Sequence, residues 1–417
     1  MITTIEPKKL CGTVEAVASK SQAHRALFLA AVSDRPTRIF CNNISEDIEA
    51  TLRAVGAMGA HVNREDGSIL IDPVSSGSAE RTLQRLDCGE SGTTLRFILP
   101  MIGALNGIIE IRTHGRLMNR PIYGLTSELS RHGMSVDQTG ISIEVIGRLT
   151  GGTFELPGNV SSQFISALLM ALPLLDEPSE LIIDGPVSSG AYVDMTLVMM
   201  ERFGVSVQKE GDRYLIEPVE RYRSPGEIIV EGDWSAAAFW VAADAIGSEI
   251  NITGLNASSI QGDSDVRDLI DRIKAGNGRI DIDAVPDLLP ALAVVAAVTE
   301  GPTSFVNAAR LRDKESDRLE STAAMIRALG GSCELTEDSL TVRGSANGRL
   351  NGGRVDAAGD HRIAMSAAVA ASVCEGEVTI TGAETAAKSY PRFWEDYETL
   401  GGSIRESFEE TVKCRDF

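Results

Sequence analysis

The sequence predicts an α/β protein of two domains, each built from three copies of one βαβαββ unit. Three observations carry that reading. Apolar helical runs recur roughly seventy residues apart, with one shorter interval. Short β-rich stretches follow them, such as TRIF, GIIEIRT, ELIID, EINIT and EVTIT. Next comes a second, amphipathic helix that stops at glycine, as in IEATLRAVGAMG, IYGLTSELSRHG, VDMTLVMMERFG, RLESTAAMIRALGG and FWEDYETLGG. A glycine just past a helix takes the left-handed backbone that ends it.

The elements follow from residue pattern. The apolar runs begin near Ser21, Gly92, Ser162, Trp234, Leu288 and His361. They are apolar nearly all round, which marks buried helices. The second helix of each unit has polar faces and lies nearer solvent. The helices of the first kind therefore belong inside and the sheets outside. Short strands such as MSVDQT, ISIEVIG and TFELPG close the units. The fourth unit is short, and the sixth lacks a full set of closing strands. The N-terminal ITTIEP can supply one of them. The chain then crosses between domains twice, near Gly12 and Glu231. Residues 1–12 with 231–417 form one domain, of repeats four to six. Residues 13–230 form the other, of repeats one to three.

Composition narrows the function. The chain has 417 residues, 43% hydrophobic and 24% charged, as a globular protein does. Its net charge of −20 disfavours nucleic acid and anionic lipid as partners. The longest apolar run, Leu288 to Val298 with Pro290 inside it, is too short to span a bilayer. Cys11, Cys41, Cys88, Cys333, Cys374 and Cys414 form no CxxC pair, so a reducing compartment, the cytoplasm, is expected. The five histidines show no metal spacing, and we expect neither metal nor cofactor. CGESGTT lacks the Walker pattern, and no GxGxxG follows a strand, which disfavours a kinase or a dehydrogenase.

The chemistry collects at the starts of the buried helices. These carry Lys20-Ser21, Ser91-Gly92-Thr93, Ser161-Ser162-Gln163, Asp233, Asp287 and Asp360-His361-Arg362. Taken singly, each Ser or Asp reads as a helix cap worth about 1 kcal/mol. Taken together, alike units would turn six helix N-termini toward one cleft between the domains. Such termini bind phosphate or carboxylate. Lys20, Arg25, Arg120, Lys314, Arg318, Arg362 and Lys388 lie near the same ends. Asp287 in VPDLLP and Glu315 in DKESDRLE sit among these cations, where a carboxylate stays ionised and can act as a base. Glu315 can also be read as an acid in the first turn of a helix.

These segments resemble the EPSP synthase family of enolpyruvyl transferases over nearly the full chain. The matching stretches are SKSQAHRALFLA, CGESGTTLRF, RLMNRPI, SSQFISALLMALP, PVSSGAYVDMT, PDLLPALAV, RDKESDRL, GDHRIAMS and AAKSYPRFW. The resemblance implies an inside-out α/β barrel in two domains. It also implies transfer of the enolpyruvyl group of phosphoenolpyruvate to the 5-hydroxyl of shikimate 3-phosphate, the penultimate step towards chorismate. By position, Lys20 resembles the lysine that touches both substrates. Ser21, Arg25, Ser161, Ser162, Ser189 and Lys314 resemble shikimate 3-phosphate ligands, with Ser188 as the register alternative to Ser189. Gly92, Arg120, Arg318, Arg362 and Lys388 resemble the phosphoenolpyruvate cage, and Gln163 lies between the substrates. Asp287 resembles the acceptor of the 5-hydroxyl proton and a further shikimate 3-phosphate contact. Glu315 resembles the group that handles the methylene proton, aided by Lys20. The expected partners are these two small molecules alone, bound by a monomer.

Two positions depart from the family pattern. Glu90 stands where many members carry an amide, and Arg310 where many carry asparagine; Arg310 is not counted as a ligand. One rival is the sister transferase acting on UDP-N-acetylglucosamine, which usually has a cysteine in a loop where this chain reads IRTHGRLMNRPI. Another is a non-catalytic repeat scaffold.

Overall fold

A computed structural model describes residues 1–75, 83–276 and 278–407; Cys414 lies outside them. Twelve α-helices run along the described chain. They are α1 (Lys20–Ala31), α2 (Glu46–Ala57), α3 (Gly92–Ala104), α4 (Tyr123–Arg131), α5 (Ser162–Ala171), α6 (Ala191–Arg202), α7 (Trp234–Ala245), α8 (Val266–Lys274), α9 (Leu289–Val298), α10 (Arg318–Ala328), α11 (His361–Ala370) and α12 (Phe393–Thr399). The chain folds as two compact units. One comprises Met1–Ala16, Ser235–Gly254 and the chain from Asp265 onward; the other comprises Val17–Trp234 and Leu255–Ser264.

The repeat is explicit in the sheets. In the second repeat, Leu83–Asp87 pairs parallel with Ile108–Arg112. Ser142–Gly147 then pairs antiparallel with Ile108–Arg112 and with Met134–Thr139. Strand order is therefore first, second, fourth, third. The third repeat (Gly152–Pro157, Ser179–Asp184, Gln208–Glu210, Arg213–Ile216) and the fifth (Arg279–Asp281, Pro302–Val306, Ser332–Leu335, Leu340–Arg343) repeat that order. A parallel pair needs a crossover, and α3, α5 and α9 supply it in these three repeats.

Three repeats are stitched together from distant chain. Glu227–Ile229 provides the opening strand beside Thr37–Phe40 of the first repeat. Cys11–Glu15 does the same beside Glu249–Thr253 of the fourth. Among the described residues the fourth sheet has two strands, which accounts for the short interval in the sequence. In the sixth, the N-terminal strand Ile2–Ile5 lies between Val378–Thr381 and Ile404–Ser407, antiparallel to both. It supplies the closing strand that the sixth repeat lacks in sequence order.

Burial follows the apolar pattern. Every residue of α9 from Leu289 to Ala297 is buried, as is every residue of α11. Only Leu125, Glu128 and Leu129 are buried in the polar-faced α4. The second helices end as expected: Gly59 after α2 and Gly330 after α10 have φ of 101° and 85°. In the first unit, Trp240 stacks on Phe393 at 5.0 Å and donates its indole N–H to the Tyr390 hydroxyl at 3.2 Å. In the second, the core runs continuously from α1 through α3 to α5. The Leu255–Ser264 segment is fastened there by the Glu231 carboxylate, which accepts from Asn256 at 3.2 Å and Ser259 at 2.7 Å.

Ile5, fully buried near the chain start, tests the stitching. Ile5→Ala is expected to lower the unfolding free energy by about 2–5 kcal/mol, as for any core deletion. Denaturant melts that match wild type would show the N-terminal strand to be dispensable.

Candidate active site

Most of the expected residues gather in two clusters, one in each unit. The first unit brings Asp287, Lys314, Glu315, Arg318, Arg362 and Lys388 to the starts of α9, α10 and α11. Arg318 is at its centre and only 1% exposed. It donates Nε to Asp360 Oδ2 at 2.9 Å and Nη1 to Asp287 Oδ1 at 2.6 Å. Its Nη2 meets Glu315 Oε2. Arg362 donates Nη2 to the other Asp287 oxygen at 2.9 Å and Nη1 to the Asp287 carbonyl at 3.3 Å. Lys388 donates to the Gly359 carbonyl at 2.9 Å.

This geometry decides between the two meanings of the acids. Asp287 precedes α9 but caps nothing; its carboxylate is held by the two arginines. Glu315 precedes α10 rather than opening it, since Asp317 is the cap and accepts from Glu320 N–H. Asp360 is a cap: it accepts from Arg362 N–H at 3.0 Å and from Ser316 Oγ at 3.1 Å, and it is fully buried.

The charges shift one another. Burial would raise the Asp287 carboxyl, but Arg362, Lys314 and Arg318 outweigh it and hold it well below the usual range. Burial pushes the Lys314 ammonium down to about 8, against the pull of Asp287. Arg310 adds to that lowering, and its guanidinium is engaged by Asp283 at 2.8 Å.

The second unit brings Lys20, Ser21, Gly92, Arg120, Ser161, Ser162, Gln163 and Ser189 to the starts of α1, α3, α5 and α6. Lys20 opens α1. Its backbone N–H donates to Asp233 at 2.9 Å, so a residue far along the chain satisfies that helix end. Its ammonium pairs with Asp47 at 2.8 Å. Gly92 opens α3, capped by Ser91. A Cβ on Gly92 would lie 2.9 Å from both Arg120 Nη1 and Arg96 Nη1, so a larger residue would push the two guanidiniums back from this helix end. Ser161 caps α5 by accepting from Gln163 N–H at 3.3 Å. Gln163 accepts from Arg96 and donates to Thr93 at 2.9 Å. Ser189, like Ser188, is buried and holds a left-handed φ of 54° just before α6. Strain of that kind persists where surroundings enforce it.

Arg25 and Glu90 are placed differently from the other expected groups. Arg25 is 2% exposed, donating to Thr196 Oγ1 at 2.7 Å, the Ser21 carbonyl at 2.8 Å and the Tyr192 carbonyl at 2.8 Å. Burial pushes it down to about 10. The Glu90 carboxylate lies over Gly115, where a Cβ would collide with it. Arg96 and Asp47 escape a residue-by-residue reading, and Asp360 reads there only as a cap. Arg96 has one sequence signal, a charge inside an otherwise apolar helix. Among the described residues no group of acids, histidines and cysteines could hold a metal ion, and no helix is long and apolar enough to cross a membrane.

Comparison with known proteins gives one consistent result. The family model described as EPSP synthase (3-phosphoshikimate 1-carboxyvinyltransferase) matches residues 5–397. The 3-phosphoshikimate 1-carboxyvinyltransferase of Clostridium perfringens strain 13 is 38% identical, across 96% of this chain and 99% of its own. That of Clostridium acetobutylicum is 37% identical, across 96% and 98%. Among solved structures, EPSP synthase from Acinetobacter baumannii matches with a TM-score of 0.78 at 25% identity, covering 97% of this chain and 100% of that one. The enolpyruvyl transferase NikO from Streptomyces tendae shares the fold, with a TM-score of 0.76 at 20% identity over 97% and 98%.

Replacing Arg318 leaves the buried Asp360 without its cation. Arg318→Met is expected to lower stability by about 3–5 kcal/mol in denaturant melts. A loss below about 1 kcal/mol would mean that the network is structurally idle.

Proposed function

The chain belongs to the EPSP synthase family, and from that premise we propose that it transfers the enolpyruvyl group of phosphoenolpyruvate to the 5-hydroxyl of shikimate 3-phosphate, releasing phosphate on the way to chorismate. The observation that best supports this is the pair of arginines on Asp287, with Lys314 and Glu315 beside it.

The chemistry has two halves. The vinyl carbon C2 is a poor electrophile until C3 gains a proton. Glu315, aided by Lys20, handles that proton, while Asp287 accepts the proton of the 5-hydroxyl as its oxygen bonds to C2. The tetrahedral adduct then loses a C3 proton and phosphate, restoring the C2–C3 double bond in the product's vinyl ether. Lys20, Arg120, Arg318, Arg362 and Lys388, with the α3 terminus at Gly92, hold the phosphate and carboxylate of phosphoenolpyruvate in both halves. Ser21, Arg25, Ser161, Ser162, Ser189 and Lys314 hold shikimate 3-phosphate, and Gln163 lies between.

A carboxylate gripped by two guanidiniums is a weak base. The carboxylate of phosphoenolpyruvate competes for the same guanidiniums and returns proton affinity to Asp287. The donor thus readies the base for the acceptor. The five described cysteines are unpaired, which fits a cytoplasmic enzyme, and nothing in this chemistry requires a second subunit.

Two measurements test the assignment. Phosphate release should occur with shikimate 3-phosphate and not with UDP-N-acetylglucosamine, and Asp287→Ala and Glu315→Gln should each lower turnover by about 10²–10⁴-fold with the fold intact. Undiminished release from either variant contradicts its role. Separately, shikimate 3-phosphate affinity should weaken as pH rises through about 8, where Lys314 loses its proton. Lys314→Arg should flatten that decline in calorimetric titrations; an unaltered decline would assign it to another group.

A further inference from the structure

His24 is not among the groups assigned to substrate, yet it is fully buried one turn after Lys20 on α1. Its Nδ1 lies 2.6 Å from Thr51 Oγ1. Thr51 in turn lies one turn after Asp47 on α2. Two rungs of equal spacing therefore join the helices, Lys20 to Asp47 and His24 to Thr51. The relay continues to α3: Thr51 Oγ1 is 2.7 Å from Thr94 Oγ1, which is 2.7 Å from Ser91 Oγ. Ser91 accepts Thr94 N–H at 3.3 Å as the α3 cap, and Gly92 follows it.

We propose that His24 is a positioning residue for the enolpyruvyl donor, fixing the first turn of α3 against Lys20 through Thr51, Thr94 and Ser91. The proposal rests on the assignment of Lys20 and Gly92 to phosphoenolpyruvate. Burial, then Lys20 and Arg25, push the imidazole well below its ordinary value, so it stays neutral. Nε2 has no hydrogen-bond partner among the described residues. A proton on Nδ1 leaves only a lone pair there, whereas a proton on Nε2 would bury an unpaired N–H. The relay then runs from Nδ1–H to Thr51 and from Thr51 to Thr94, whose hydroxyl lies 2.7 Å from Ser91 Oγ and 3.5 Å from the Asp47 carbonyl.

Arg25, the next residue, ties α1 the other way. Its bonds reach Ser166 of α5, Thr196 of α6 and the Tyr192 carbonyl. Those helices begin at the serines assigned to shikimate 3-phosphate. Arg25 thus ties α1 mainly toward one substrate's serines and His24 toward the other substrate's helix start, so losing His24 should weigh more on phosphoenolpyruvate, although Lys20 touches both.

The test is steady-state kinetics of His24→Leu and Thr51→Val with each substrate varied in turn. Replacing both partners of a buried hydrogen bond by apolar groups can be nearly neutral in stability, so the His24→Leu/Thr51→Val double variant accompanies the single ones, each of which leaves one partner behind. We expect kcat/KM for phosphoenolpyruvate to fall about tenfold or more, as small misplacements of binding groups do. KM for shikimate 3-phosphate should change less than that for phosphoenolpyruvate, and the melting temperature of the double variant should hold. His24→Asn, whose amide N–H takes the Nδ1 position, should restore activity. His24→Gln, whose amide reaches the Nε2 position, should not, and this pair serves if an apolar variant fails to fold. Unchanged phosphoenolpyruvate kinetics in an active enzyme overturn the proposal, as does a loss shared equally by both substrates. An inert wild type overturns the functional reading, and this proposal with it.

Discussion

The first unit's site depends on one buried guanidinium. Arg318 is surrounded by Asp360, Asp287 and Glu315. Burial disfavours its charge, but Asp360 and the other two acids reverse that and hold it firmly ionised. Three helix starts are set from this point. Asp360 caps α11, Asp287 is held at the entrance to α9, and Glu315 is turned back from the entrance to α10. The cations expected to make the site positive are largely offset: Arg318, Arg362, Lys314 and Lys388 share it with Asp287, Glu315 and Asp360. On the proposed function, an anionic substrate enters by exchanging partners with the protein's own carboxylates, which places the whole-chain charge of −20 and the local chemistry on separate footings.

The second unit reaches a similar end with different means. Its helix starts are held mainly by neutral hydroxyls and by distant chain. Asp233 serves the start of α1, and the Glu231 and Gln261 contacts fix the strand that carries it. Glycine at position 92 keeps the α3 terminus open to two guanidiniums. Both units thus follow one rule: a buried apolar helix points a polar, preorganised N-terminus at the place where charge must be held.

Much of this was legible in the sequence because it is periodic or locally encoded. The apolar runs, the glycine stops and the spare N-terminal strand each have a signature, and Gly59, Gly330 and Ile2–Ile5 behave accordingly. The fourth repeat was legible only as a short interval; that it lacks a closing hairpin needed the strand pairing. What the sequence left open were choices between two good local meanings. Asp287 and Asp360 both precede buried helices, yet one binds arginine and the other does both jobs, because only the fold brings Arg318 between them. Arg25 illustrates the same limit. A cation beside a buried helix reads as a ligand, and its ties to Thr196 and Tyr192 depend on contacts some 170 residues away. Glu90 over Gly115 is a contact between loops that no spacing announces.

The central claim is that Arg318, Arg362 and Lys314 keep Asp287 a weak base until phosphoenolpyruvate draws the guanidiniums away. Carboxyl-carbon NMR of Asp287, titrated with and without phosphoenolpyruvate, tests it most directly. Alone, the group should remain ionised well below the ordinary aspartate value of about 4, and phosphoenolpyruvate should move its titration upward. An ordinary titration in the chain alone, or one that phosphoenolpyruvate leaves in place, would contradict the account.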